Sequence, residues 1–238
     1  MTNVLETRNL TMQFGGVTVL RGIDFAVEQG EVRCLIGPNG AGKSTFFKIV
    51  TGQIKPSAGK VFFYGDNVTG RTTHEIARLG VGTKTQTPQL FDDLSVQENV
   101  WLAAVRKAGR RRSAALVADS MEEMGVSAHR HAIAGRLAHG LRQRVEIAMV
   151  LAGRPRLILL DEPAAGMSDG EVDQIAGVIK SIGRERTIVA VEHDMRFIHA
   201  VGTRVTVFHQ GGVFLEGAPD EVLADDRVRE IYFGGRAA

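Results

Sequence analysis

Apolar and polar residues roughly alternate through Val4-Leu5-Glu6-Thr7-Arg8 and again through Val17-Thr18-Val19-Leu20-Arg21, with Gly15-Gly16 and Gly22 as punctuation. A period of two predicts strands with one buried face, so residues 4–28 read as a small antiparallel region. The pattern then changes. Glu31-Val32-Arg33-Cys34-Leu35-Ile36, Arg156-Leu157-Ile158-Leu159-Leu160 and Thr187-Ile188-Val189-Ala190-Val191 are short, nearly unbroken apolar runs. Runs of this kind suit strands buried on both faces, as in a parallel sheet. Val61-Phe62-Phe63-Tyr64 before Gly65-Asp66 predicts a strand ending in a turn, and Arg204 to Leu215 predicts two strands around Gly211-Gly212. A short acidic, helical tail follows. Helical spacing marks Lys43 to Val50, stopped by Gly52, and dominates from Ser95 to Ala152. Ser95, in Leu94-Ser95-Val96-Gln97-Glu98, is the expected N-cap of that second stretch.

Composition narrows the class. A chain of 238 residues suits one large domain or a domain with a sizeable insertion, and 44% hydrophobic with 24% charged residues is ordinary for a soluble globular protein. A formal charge of +2 is too small to argue for nucleic acid or an anionic membrane surface. Cys34 is the only cysteine, which excludes an internal disulfide and fits a reducing compartment. Its place inside a predicted strand makes it a core residue. No run approaches the roughly 18 apolar residues of a spanning helix. The first residues, Met1 to Glu6, lack the features of a signal peptide. The expectation is a soluble, cytosolic protein able to sit on a membrane partner.

Candidate chemistry begins at Gly37-Pro38-Asn39-Gly40-Ala41-Gly42-Lys43-Ser44-Thr45, which fits the phosphate-cradling pattern G-x-x-x-x-G-K-[ST] between a strand and a helix. Its glycines let the backbone fold around an anion and turn N–H groups inward. The helix starting near Lys43 points its positive dipole end at the same phosphates. Lys43 would supply charge to the terminal phosphates and Ser44 a hydroxyl ligand for Mg2+. A second signal is the apolar strand that ends in Asp161-Glu162-Pro163. Adjacent carboxylates closing a buried strand are costly without a task, and ligands of open α/β sheets gather at that edge. Asp161 can hold a Mg2+ shell, and Glu162 can reach an attacking water. His193 falls at the end of the next such strand. Phe14, before the Gly-Gly turn, reads either as core or as an aromatic face beneath an adenine. The basic run Arg106, Lys107, Arg110, Arg111, Arg112 reads as a solvated face, Trp101 as an amphipathic anchor. His129 and His131 alone make a poor metal site.

These pieces, in this order, resemble the ATP-binding subunits of ABC transporters over essentially the whole chain. The resemblance adds Gln86, in Thr85-Gln86-Thr87-Pro88, as the glutamine loop, and His193 as the switch histidine. Phe14 takes the adenine-stacking position. Leu137-Ala138-His139-Gly140-Leu141, ahead of a helix expected over Arg142 to Ala152, takes the place of the signature Leu-Ser-Gly-Gly-Gln. It implies an α/β fold: a P-loop NTPase core with a mainly parallel sheet, an N-terminal antiparallel β subdomain and a helical subdomain. Residues 1–87 and 153–238 would form the core and 88–152 the helical part of a single domain. It also implies ATP and Mg2+, with Ser44, Gln86 and Asp161 around the cation and Glu162 and His193 at the γ-phosphate. The implied partners are a second ATP-binding subunit, identical or different, closing head to tail, and transmembrane permease subunits served by a solute-binding protein. The chain would sit on the inner face of the plasma membrane through the permease.

A narrower resemblance is carried by Gln86-Thr87-Pro88, Asp161 to Met167, Val191 to Met195 and the tail Val228 to Gly234. These are similar to the branch serving branched-chain amino-acid and urea importers, and the histidine in Ala138-His139-Gly140 leans towards the urea type. The sequence departs from the family at Ala138, which lacks the signature hydroxyl, at Leu141, which replaces a glutamine, and at Ser168, where the loop often carries aspartate. Two other readings remain open here. One is an ATP-gated dimerising regulator that hydrolyses little. The other is a soluble ATPase acting on ribosomes or DNA, against which stand the single phosphate loop and the absent basic footprint.

Overall fold

A computed structural model describes residues 3–86 and 89–233. Met1, Thr2, Thr87, Pro88 and Gly234, which fall within segments noted above, lie outside these, as do the side chains of Lys107 and Arg110. The alternating N-terminal stretch forms strands β1 (Asn3–Phe14) and β2 (Val17–Glu28), paired antiparallel across Gly15-Gly16. Strands β4 (Ala58–Phe63) and β5 (Asp66–Asn67) complete this sheet in the order β2-β1-β4-β5.

The continuous apolar runs form β3 (Val32–Ile36), β7 (Leu157–Asp161) and β8 (Thr187–Val191), each buried at every position. With β6 (Val81–Lys84), β9 (Arg204–His209) and β10 (Gly212–Gly217) they build a second sheet, ordered β10-β9-β3-β8-β7-β6. All its pairings are parallel except β9 with β10. The two faces explain why alternation disappears from these strands. Leu157 and Leu159 enter the core shared with the antiparallel sheet, while Ile158 and Leu160 enter the core shared with helices.

Helix α1 (Lys43–Val50) lies between the sheets, where Phe46 meets Phe25 and Phe208 edge-on at centroid distances of 5.1 and 5.3 Å. The short α2 (Thr73–Arg78) precedes β6. The long helical stretch is divided into α3 (Val96–Ala108), α4 (Arg110–Glu123) and α5 (His139–Ala152), which pack on one another. Gly109 and Gly125, at φ 71° and 65°, supply the breaks. Ser95 caps α3 as expected, in a reciprocal box with Glu98. Helices α6 (Asp169–Gly183), α7 (Met195–Val201), α8 (Pro219–Ala224) and α9 (Asp226–Phe233) complete the chain. Cys34 is fully buried, and burial pushes its thiol up to about 12, as befits a core residue. Among the described residues, no helix is long and apolar enough to cross a membrane.

Candidate active site

Strand β3 runs straight into the phosphate loop, and the loop's shape depends on two glycines. Gly37 has φ 146°, and a Cβ there would lie 2.2 Å from the Phe208 carbonyl oxygen. Gly42 has φ 103°, with its missing Cβ 2.6 Å from Leu20 Cδ2. Any side chain at either position would push the loop off its neighbours. The Gly211 N–H donates to the Ala41 carbonyl at 3.2 Å and ties the loop to the β9–β10 turn. Asn39, Gly40 and Ser44 are exposed, Pro38 and Thr45 half-buried, Ala41 buried. Lys43 Nζ donates to the carbonyls of Gly37 and Pro38 at 2.5 and 3.1 Å. Burial pulls this lysine below its ordinary value, while Glu162 and Asp161 favour its charged form. Helix α1 starts at Gly42 without any side-chain cap, so its first N–H groups stay open to an anion.

Register delivers the acids to the same edge. Asp161 is level with Val191, and Val191 with Leu35, so Glu162, Glu192 and the start of the phosphate loop follow side by side. The pairing of Lys84 with Leu160 places exposed Gln86 level with Glu162. Asp161 is 7% exposed and its Oδ1 has no hydrogen-bond partner. Burial, and secondarily the neighbouring Glu162, raises this carboxyl from 3.8 to about 6. Glu162 sits at φ 49°, a conformation that costs a residue with a Cβ about 1–3 kcal/mol and is held by its N–H bonding the Val191 carbonyl at 2.9 Å. Exposed His193 stands with Nδ1 3.9 Å from Glu162 Oε1.

A buried polar atom without a partner is an expense that a ligand can remove. The Ser44 hydroxyl near the start of α1, the Gln86 amide beyond β6 and the Asp161 carboxylate at the end of β7 are hard-oxygen donors, and donors of that kind suit Mg2+. The residues present therefore fit the cation.

Two residues of this edge escape a sequence-level search. Glu192 is 1% exposed; its Oε1 accepts from the Ala164 N–H at 2.8 Å and its Oε2 from His193 N–H at 3.0 Å. It thus braces the chain after Glu162 and the chain carrying His193 together. Lys84, 4% exposed, lies 3.8 Å from Glu146 Oε2. Burial drives that lysine down and that glutamate up, each opposed by its partner. The available signal was, for Glu192, a charged residue just after a fully buried strand; Lys84, ending the half-buried β6, offered less.

Phe14 is 47% exposed at the tip of β1, which removes core burial as its explanation. The signature segment departs from expectation. Helix α5 begins at His139, three residues earlier than Arg142, with Ala138 extended as its N-cap. The reason is local packing. Gly140 lets the first turn lie against the start of α6, where a Cβ would sit 2.3 Å from Glu171 Oε1. The His139 ring bonds the Ala165 carbonyl at 2.9 Å through Nε2. Leu137 and Leu141 pack onto the helical core. The structure holds this segment beside the loop after Glu162, and among the described residues it forms no hydrogen bond with the phosphate loop. Ser168, in the place expected for aspartate, stands at the N-cap of α6, where its N–H and hydroxyl donate to the Glu171 carboxylate at 2.9 and 2.7 Å.

Similarity to known proteins agrees with this geometry. The sequence profile of the ABC transporter family matches residues 20–165, and that of the branched-chain amino acid ATP-binding cassette transporter matches residues 213–238. The chain is 32% identical to the high-affinity branched-chain amino acid transport ATP-binding protein BraF of Pseudomonas aeruginosa, over 97% of this chain and 98% of that protein. It is 34% identical to the lipopolysaccharide export system ATP-binding protein LptB of Acidithiobacillus ferridurans, over 98% of each. Among solved structures, the ADP conformation of the ATP-binding cassette MJ1267 superposes with TM-score 0.88 at 28% identity, over 98% of this chain and 100% of that one. The dimeric, post-hydrolysis cassette MJ0796 bound to ADP and Pi superposes with TM-score 0.79 at 25% identity, over 90% and 98%. A full-length match in sequence and in fold, with a phosphate loop and two acids at one sheet edge, leaves one conclusion: this chain belongs to the ABC transporter family, as an ATPase cassette.

Proposed function

We propose that this chain hydrolyses ATP to energise passage of a small solute through a separate membrane permease. The observation that carries the reading is the convergence of Lys43, the orphaned Asp161 oxygen, Glu162 and His193 on one sheet edge. In this reading Lys43 and the N–H groups from Gly37 to Thr45 bind the phosphates and Phe14 lies beneath the adenine. Ser44, Gln86 and Asp161 hold Mg2+, which when bound offsets phosphate charge. Glu162 polarises the attacking water and His193 contacts the γ-phosphate. Fixed groups aimed at developing charge carry most of such catalysis. The turn from Leu137 to Leu141 faces the nucleotide of a second subunit in a head-to-tail pair, and the likeness to the dimeric MJ0796 cassette supports a dimer. Residues 88–152 act as the helical unit on the core.

The permease docks, in this proposal, at a groove of about 770 Å³ beside β6, lined by Thr83, Gln89, Phe91, Leu102, Arg106 and Met149. Phe91 and Leu102 are 57% and 40% exposed, an apolar patch that a partner would cover. The chain would thereby lie on the inner face of the membrane. A branched-chain amino acid is the solute this reading favours, supported by the match over residues 213–238 and by BraF. A urea-type importer is the second reading, carried by His139 alone, and LptB shows that near relatives also serve export systems. The test is purification with the co-purifying permease, followed by reconstitution with its solute-binding protein. Leucine-stimulated turnover supports the first solute and urea-stimulated turnover the second. Recovery on ribosomes would overturn the transporter reading.

A further inference from the structure

We propose that the buried pair Lys84–Glu146 is a positioning device that registers the helix carrying the signature turn, α5, against the strand end carrying Asp161. Lys84 closes β6, and its Nζ also faces the carbonyl oxygens of Asp161 and Thr85, each at 3.5 Å. Glu146, 6% exposed and midway along α5, uses its other oxygen, Oε1, to accept the Gln89 N–H at 3.0 Å. Four pieces of chain therefore meet at two opposite charges: the end of β6, the end of β7, the body of α5 and the segment at Gln89.

A buried pair is a poor way to gain stability, because desolvation offsets most of the attraction and apolar side chains would serve as well. Its gain is direction. With Lys84 also facing two carbonyls and Glu146 already accepting from Gln89, the pair favours the one arrangement that serves all of these contacts, where an apolar contact admits several. Glu146 lies seven residues after His139, roughly 10 Å or two turns along a rigid helix. Where Glu146 is held determines where the turn from His139 to Leu141 points, and Lys84 ties that choice to the Asp161 backbone.

The inference rests on the signature reading of residues 137–141, so its test separates the two. In the full-length protein, Ala138→Asp reports on the reading alone. Aspartate is a good N-cap and keeps α5 folded, but its charge opposes a partner's phosphate. A turnover loss of about tenfold or more supports the reading. Lys84→Met and Glu146→Gln report on the pair, each expected to lower kcat about tenfold while KM for ATP and binding of a fluorescent ATP analogue stay within about twofold; Lys84→Arg should recover most of the loss. The double variant Lys84→Met/Glu146→Met removes both charges, so thermal stability should return towards the native value while kcat stays low. Recovery of kcat together with stability would make the pair merely structural and overturn the proposal. Should the double variant fail to fold, Glu146→Gln decides, since it keeps the Gln89 bond and shape; native kcat there also overturns the proposal. If Ala138→Asp lowers turnover while the pair variants do not, the device falls and the signature reading stands. If Ala138→Asp is silent, the signature reading fails and takes the device with it.

Discussion

Two helix N-termini in this protein are left without a side-chain cap at functionally telling places: α1 after the phosphate loop and α5 after Ala138. By contrast α2 and α3 are closed by reciprocal boxes at Thr72 and Ser95, and the start of α6 by two bonds from Ser168 to Glu171. A capped terminus spends its N–H groups on its own side chains, whereas an open one keeps them for a ligand. The two open ends are not equivalent. At α1 the open N–H groups are joined by the Lys43 ammonium, whose charged form Glu162 and Asp161 favour. At α5 the charged neighbour is the Glu171 carboxylate beside Gly140; the turn leans on the loop after Glu162 through His139 and lacks a hydroxyl at Ala138. On the proposed function the first end holds phosphate within one chain, and the second completes the site of a partner subunit.

The largest effect should come from breaking the first end. Glu162→Gln is expected to lower ATP turnover by about 10²-fold or more while nucleotide binding persists. ATP-bound dimers should then accumulate on size-exclusion chromatography. Turnover that starts near zero and hardly changes would favour the ATP-gated regulator instead. Next comes pH. Burial pushes the Asp161 carboxyl up to about 6 from 3.8, so the fold binds that proton more tightly than the unfolded chain does. Between about pH 6 and 3.8 protonation relieves the buried charge and favours the fold, while the site loses its carboxylate. The kcat/KM for ATP should accordingly fall by about tenfold per unit as pH drops below about 6, and kcat less, because bound cation holds the carboxylate ionised. A flat kcat/KM profile from pH 7 to 5 would remove Asp161 from nucleotide binding.

Repairing the second end tests the contrast from the other side. A hydrogen bond to a charged group is worth about 1.5–3 kcal/mol, so Ala138→Ser should raise steady-state hydrolysis of the homodimer by about tenfold or more. Unchanged hydrolysis would mean that the missing hydroxyl is not limiting. The smallest effect belongs to a closed end. Ser168→Ala removes a cap worth about 1 kcal/mol and should lower the melting temperature by about 2–4 °C with kcat nearly unchanged. A large loss of kcat would assign Ser168 a role in the site beyond capping α6.

Local chemistry made much of this protein readable in advance. Period two marked β1 and β2, unbroken apolar runs marked the strands buried on both faces, and Gly37 to Thr45 could be placed between a strand and a helix because that loop is built from contiguous residues. Other elements gave no such signal. Helix α6 has an amphipathic pattern that competes with the many small and polar residues around it, and the start of α5 at His139 depends on Gly140 meeting Glu171, a residue 31 positions away. Ala138, His139 and Ser168 could be noticed as departures from a pattern, but whether each caps, leans or stays open is a matter of tertiary contact.

By itself, then, the sequence determined what is local or periodic: the strands other than β5 and β6, the phosphate loop, the candidate acids and the family. Only the tertiary structure decided which charges share a site. Parallel register brought Asp161, Glu162, Glu192 and Gln86 level with the phosphate loop, and burial turned Lys84 and Glu146 from ordinary residues into a pair. The physical reason is that register and desolvation act between segments distant in the chain, and no run of neighbouring residues records them.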